Sequence, residues 1–169
     1  MNMKTKFLLL VLLAIGLSSC DLIPDGKIWD IAPVEYIIQV SNAQGTDLLN
    51  QDSQNAIDTS LIKAVYRGVE YKCSKDPYSF STKAYMPHFH GLQLSKLFQS
   101  STFVLKFGEL DGAKSYSNEE LTILWGDGTS DKIKFNRKFR WRFNGDPDSS
   151  EEWFLNGTKV SGKTIKIVK

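Results

Sequence analysis

The chain has 169 residues, of which 41% are apolar and 24% charged, a composition that excludes a disordered or low-complexity protein. Apart from Lys4 and Lys6, it carries 19 basic and 19 acidic side chains, which excludes a global polycation that coats nucleic acid. The roughly 150 residues beyond the first twenty suit one domain able to bury most of its unfolded surface.

The N-terminal elements come first. Lys4 and Lys6 precede a nine-residue apolar run, Phe7 to Ile15. At about 1.5 Å per residue such a helix is too short to span a bilayer core of about 30 Å. It reads as the apolar core of a secretory signal. Leu17-Ser18-Ser19-Cys20 follows and resembles the lipobox of bacterial lipoproteins. What that resemblance implies is cleavage before Cys20, a diacylglyceryl group on its thiol and acylation of its amine. The expected organisation is a signal over 1–19, a lipidated cysteine with a short tether over 20–26, and a folded domain over 27–169. The expected place is the cell envelope, lipid-anchored at the outer membrane, facing either the periplasm or the medium. Fully extended, the tether from Asp21 to Gly26 reaches only about 20 Å, so the domain is expected close to the bilayer. With Cys20 lipidated, Cys73 stays alone and no intramolecular disulfide is available. Its best reading is a structural thiol.

Beyond residue 27, alternation dominates. Tyr36, Ile38 and Val40 share one face of a strand over 35–40, closed by a turn at Asn42 to Gly45. Short strands over 61–66 and 69–73 are separated by Arg67-Gly68. Further strands are expected over 102–107, 120–125, 132–143, 152–155, 158–160 and 164–168. Asn156-Gly157 reads as a two-residue hairpin turn. No segment keeps a helical period. These signals predict an all-β fold, a single antiparallel β-sandwich of about nine strands, Ig-like or transthyretin-like.

Several phrases together carry a family likeness: Trp29-Asp30-Ile31-Ala32-Pro33, Gly45-Thr46-Asp47-Leu48-Leu49 at the end of an expected first hairpin, Trp125-Gly126-Asp127-Gly128-Thr129 with Asp131, and Leu155-Asn156-Gly157. Together they resemble a family of small lipoproteins from gut Bacteroidetes with no assigned activity. The resemblance implies an anchored β-domain and no catalytic residues to carry over. Trp125 to Thr129 is also similar to a turn of polycystic-kidney-disease-type Ig domains, though these usually place an extra residue after the tryptophan. The glycines flanking Asp127 suit a tight turn, and Asp127 reads as its cap.

The most distinctive stretch is Lys132 to Phe143. On a strand, Lys132, Lys134, Lys138, Arg140 and Arg142 share one face with Asn136, while Ile133, Phe135, Arg137, Phe139, Trp141 and Phe143 share the other. The basic face can dock an anionic envelope component such as lipid phosphates or an acidic glycan. It can equally pair with Asp146, Asp148, Glu151 and Glu152 across a hairpin. Residues 131–169 carry a net charge of +5 and residues 20–130 a net −5, so mutual neutralisation is available. Arg137 interrupts the apolar set, and a bulge that re-phases the strand is one expected consequence.

Other candidates are weaker. His88 and His90 face the same way on a strand, but the chain has no further histidine, and Pro87 and Gly91 suggest an exposed loop without metal. The acidic run from Asp146 to Glu152 lacks the order of a calcium loop and reads as a solvated turn. Of the tryptophans, Trp29 is the expected partly exposed one and a candidate sugar-stacking platform. Trp141 is expected in the core. There is no Gly-x-Ser-x-Gly, His-Glu-x-x-His or Walker lysine. The reading is a non-catalytic protein without cofactor or nucleic-acid partner, joined to the membrane through Cys20, that binds or scaffolds another envelope or surface component. Carbohydrate binding at the cell surface is the alternative.

Overall fold

The computed structural model describes residues 28–75, 88–97 and 99–169. Cys20 and the segment before it lie outside the described residues. The chain divides into two compact units. The larger holds Ile31–Arg140 and Asp148–Lys169. The described part of the smaller is Ile28 to Asp30 with Trp141–Pro147. No helix among the described residues is long and apolar enough to cross a membrane.

The larger unit is all-β, with two antiparallel-dominated sheets packed as a sandwich. In chain order its strands are β1 (Val34–Ser41), β2 (Lys63–Tyr66), β3 (Val69–Lys72), β4 (Ser74–Lys75), β5 (His90–Lys96), β6 (Phe103–Leu110), β7 (Tyr116–Leu124), β8 (Ser130–Trp141), β9 (Pro147–Leu155), β10 (Thr158–Val160) and β11 (Thr164–Val168). The last residue of β8 and the first of β9 belong to the smaller unit. One sheet runs β11-β1-β6-β5-β4 and the other β10-β9-β8-β7-β2-β3.

Local chemistry sets most of these elements. In β1 every second residue is buried, with Val34, Tyr36, Ile38 and Val40 facing the core. Asn156 and Gly157 both take positive φ and turn β9 into β10, the geometry of a type I′ hairpin. Arg67 and Gly68 do the same between β2 and β3. After β7, Gly126 and Gly128 take positive φ around Asp127. The Asp127 carboxylate accepts from the Thr129 amide at 2.8 Å and its hydroxyl at 2.6 Å. These bonds hold its carboxyl down at about 2. Trp125 is buried and donates its indole N–H to Asp131 at 2.7 Å. The Trp-Gly-Asp-Gly-Thr phrase is a turn and its anchor.

The structure corrects the expected strand list in two ways. Among the described residues eleven strands stand where about nine are expected, β4 and β5 being the additions. Strand β5 buries Leu92 and Leu94 and contains Gly91, which looked like a loop marker. A Cβ there would meet the Tyr71 ring at 2.9 Å, so the glycine makes room for an aromatic ring across the sandwich. The pairing is also not wholly antiparallel. Strand β1 pairs in parallel with β11 and antiparallel with β6, and β4 pairs in parallel with β5. The expected first hairpin is reduced to a bridge between Ser41 and Asp47.

Candidate functional site

The outer face of the six-stranded sheet carries the basic residues of β8. Lys132 reaches Glu120 on β7 at 3.1 Å, and Arg140 reaches Asp148 on β9 at 2.8 Å. Lys134 lies over the Phe154 ring, 5.5 Å from its centroid. Lys138 acts on Glu152 through space and helps Lys159 hold that carboxyl below its usual range. Lys132 and Arg140 are therefore cross-paired, while Lys134 and Lys138 keep charge on the surface. Arg142 belongs to the smaller unit, where its amide donates to the Asp146 carbonyl at 2.8 Å.

Arg137 does not re-phase β8. It stays on the inward face with Ile133 and Phe135 and is 6% exposed. It forms a close ion pair with Glu151 and donates to the Gly112 carbonyl from Nε at 3.1 Å and Nη2 at 2.6 Å. Glu151 also accepts from the Trp153 indole at 3.2 Å. A buried guanidinium is tolerable when its donors are matched this way. The irregularity lies in the neighbouring strand instead. Strand β7 bulges between Tyr116 and Glu119, with Asn118 at positive φ and its amide bonded to the Asn136 side chain at 2.7 Å.

Burial along the inward row of β8 then fades. Ile133 and Phe135 are fully buried, whereas Trp141 is 53% exposed. Trp141 is thus not a core residue, because parity sets the direction a side chain takes and not whether a partner layer waits there. In the smaller unit Phe143 is 97% exposed and Trp29 is 42% exposed. Asn144 and Asp146 close a turn on each other there, at 2.8 and 3.1 Å. Of the acidic run, Asp148, Glu151 and Glu152 each hold a cation: Arg140, Arg137 and Lys159. Among the described residues no group of three or more His, Cys, Asp and Glu side chains could hold a metal ion.

His90 is not in an exposed loop. It opens β5, half-buried, with Nε2 3.3 Å from Glu35, which also pairs with Lys106 at 3.5 Å. Burial works against its charged form, but Glu35, the Gly91 carbonyl and Glu109 together outweigh it and raise its pKa. Cys73 packs at the edge of the core, and burial pushes its thiol up to about 11. At neutral pH it is protonated and inert.

A second site lies between the sheets, where β2, β3 and β7 meet the start of β5. It is an open cleft of about 420 Å³. Its walls include Tyr66, Tyr71, Phe89 and Tyr116. Phe89 is 43% exposed and contacts both tyrosines of the β2–β3 hairpin, with ring centroids 6.2 Å from Tyr66 and 5.6 Å from Tyr71. Phe107 backs all three rings at 5.2 to 5.4 Å. Arg67 supplies a polar edge, its Nε donating to Glu119 at 2.6 Å. That bond draws the Glu119 carboxyl below its usual range. The Tyr66 hydroxyl is buried, and burial first and its interaction with the Glu119 carboxylate second raise its pKa. The Tyr36 hydroxyl, deeper in the core, is buried without a hydrogen bond, and it senses both Tyr66 and Glu119. Sequence reasoning missed this cleft, because its walls come from four separated segments and each ring alone reads as core.

No family model matches the chain, and no curated protein or solved structure matches it.

Proposed function

We propose that the chain is a non-catalytic lipoprotein of the cell envelope, anchored through Cys20, that binds or scaffolds an anionic envelope component through β8. The ordered signal, from Lys4 and Lys6 through the apolar run to Leu17-Ser18-Ser19-Cys20, supports the anchor. The observation that carries the binding surface is the state of Lys134 and Lys138. One lies over a ring and the other acts on a carboxylate at a distance, so their charge is available to a phosphate or carboxylate partner. Near an anionic surface each contributes about 1 kcal/mol.

Two substitutions test this. Cys20→Ala should move the protein from the membrane fraction to the soluble one. Lys134→Glu with Lys138→Glu should abolish salt-sensitive binding to anionic vesicles and leave the melting temperature within about 2 °C of the parent. Unchanged binding would remove β8 as the contact. An equal loss of folding would make the strip structural.

A second reading has its own observation. The aromatic cleft at Tyr66, Tyr71 and Phe89 favours a carbohydrate-binding accessory lipoprotein, for which binding is saturable and indifferent to salt.

A further inference from the structure

We infer that the smaller unit is a lipid-docking surface, with Ile28, Trp29, Trp141 and Phe143 seated in the interface of the bilayer that holds the lipid on Cys20. This rests on the anchor proposed above and is independent of the basic strip on β8.

Exposure marks the surface. Among the described residues eight large apolar side chains are exposed, and four of them fall in the ten residues that make up the described part of the smaller unit, 28–30 and 141–147. Ile28 and Phe143 are almost wholly open to solvent. The other four, Leu61, Val69, Phe89 and Val168, belong to the much longer larger unit. Scattered apolar residues need no account, whereas a concentration of them marks an interaction surface.

The local fold presents this set instead of hiding it. The Arg142 amide donates to the Asp146 carbonyl at 2.8 Å, and the Gly145 amide donates to the Arg142 carbonyl at 2.9 Å. Gly145 takes positive φ, as the turn requires. The Asn144 and Asp146 side chains close the same turn. Phe143 stands inside that turn with its ring outward. A tip that satisfies this much of its own backbone carries few unmade bonds into a lipid interface.

Chain length and composition select the occupant. Eight residues of chain lead from Cys20 to Ile28, a reach of about 28 Å at most. Ile28 and Trp29 share one compact unit with Trp141 and Phe143, so an acylated Cys20 keeps all four beside the membrane. At that effective concentration a few modest apolar contacts are enough to dock the unit. Tryptophan suits a membrane–water interface, where its ring meets acyl chains and its N–H meets water or headgroups. Phenylalanine and isoleucine add apolar area below that level. Charge does not drive the contact, because the described part sets Arg142 against Asp30 and Asp146. A zwitterionic surface therefore suffices, and salt has little influence.

The test is tryptophan fluorescence of the full lipidated protein in dioleoylphosphatidylcholine vesicles, with and without brominated acyl chains, at low and high salt. Bromine quenches only rings that enter the lipid. The expected result is quenching in brominated vesicles, equal at both salt concentrations. Trp29→Phe with Trp141→Phe should abolish it, because Trp125 and Trp153 are buried in the sandwich. Ile28→Asp with Phe143→Asp should reduce it roughly twofold or more and leave the melting temperature unchanged, since both side chains are exposed. Quenching that persists without Trp29 and Trp141 would overturn the docking surface. No quenching in a protein that still needs Cys20 to reach the membrane fraction would overturn it too, and leave the anchor standing. A parent protein found in the soluble fraction would overturn both. Sedimentation of Cys20→Ala without lipid should show a monomer at every concentration. A dimer that Phe143→Asp dissociates would give the surface to a second copy and overturn lipid as its occupant.

Discussion

Two ion pairs join β8 to β9, from positions three residues apart on β8, and they sit on opposite faces of the sheet. Arg137 and Glu151 face the core, with side chains only 6% and 10% exposed. Arg140 and Asp148 face outward, and the Arg140 side chain is 78% exposed. The chemistry of the partners is the same and their surroundings are not. Inside, both charges have lost most of their water and depend on each other, on the Gly112 carbonyl and the Trp153 indole, and on Lys163, which reaches Glu151 from the surface at 3.6 Å. Outside, water and salt compete with the partner at little cost. The comparison separates a charge the fold requires from charges the fold merely accommodates, and only the second kind is free to serve binding.

Breaking the inner pair should give the largest effect. Arg137→Met leaves the Glu151 carboxylate buried without its main partner, and the expected loss is about 3–5 kcal/mol by urea unfolding. Arg137→Met with Glu151→Leu should cost less than the sum of the two single changes, because no unpaired charge then remains. A loss below about 1 kcal/mol for the single variant would mean that water reaches the pair after all.

That inner pair also marks the limit of what the sequence makes legible. Alternation in β1 and β8, the Asn156-Gly157 turn and the Asp127 turn are local signals, readable because partner and cause lie within a few residues. Arg137 lies in the same row as Ile133 and Phe135, but only contact with Glu151 and Gly112 shows why a cation can be buried there. The parallel pairing of β1 with β11 joins Ile37 to Thr164, far apart in the chain, and no local pattern encodes it. Strand β5 was hidden by Gly91, whose role depends on Tyr71 in the other sheet. The cleft is the extreme case. Tyr66, Tyr71, Phe89 and Tyr116 read singly as apolar ballast, and their meeting at one cleft exists only in three dimensions. The basic strip is legible as a pattern, whereas the cross-pairing of Lys132 and Arg140 depends on the neighbouring strands that bring Glu120 and Asp148 beside them.

The same strand holds a partly exposed acid that binds neutral donors. Asp131 takes the Trp125 indole and the Asn156 amide, both at 2.7 Å. Asp131→Ala should cost about 1–2 kcal/mol, less than Arg137→Met because the groups left behind are uncharged. A shift in tryptophan fluorescence should accompany it, since the Trp125 indole N–H loses the carboxylate it donates to. An equal cost for the two variants would remove burial of charge as the distinction.

His90 with Glu35 is the intermediate case, half-buried on the other sheet with Lys106, Glu109 and His88 nearby. Its folded pKa is raised above the ordinary value of 6.5. Its contribution to stability is therefore fully present below that unfolded value and is lost as pH rises through the raised folded value. Unfolding free energy should fall across that window, and His90→Gln should flatten the slope. A slope unchanged by His90→Gln would place the titrating group elsewhere.

The smallest effect belongs to the outer pair and decides the most about function. Arg140→Ala should cost no more than about 0.5 kcal/mol, and less again in high salt. At that value the outer face of β8 is not held together by its charges. Lys134, Lys138 and Arg140 could then exchange internal partners for an external anion at almost no cost to the fold, and the double reversal at Lys134 and Lys138 would report binding alone. A cost above about 1 kcal/mol would tie Arg140 and Asp148 to the β8–β9 hairpin itself, and the strip would then belong with Arg137 as structure.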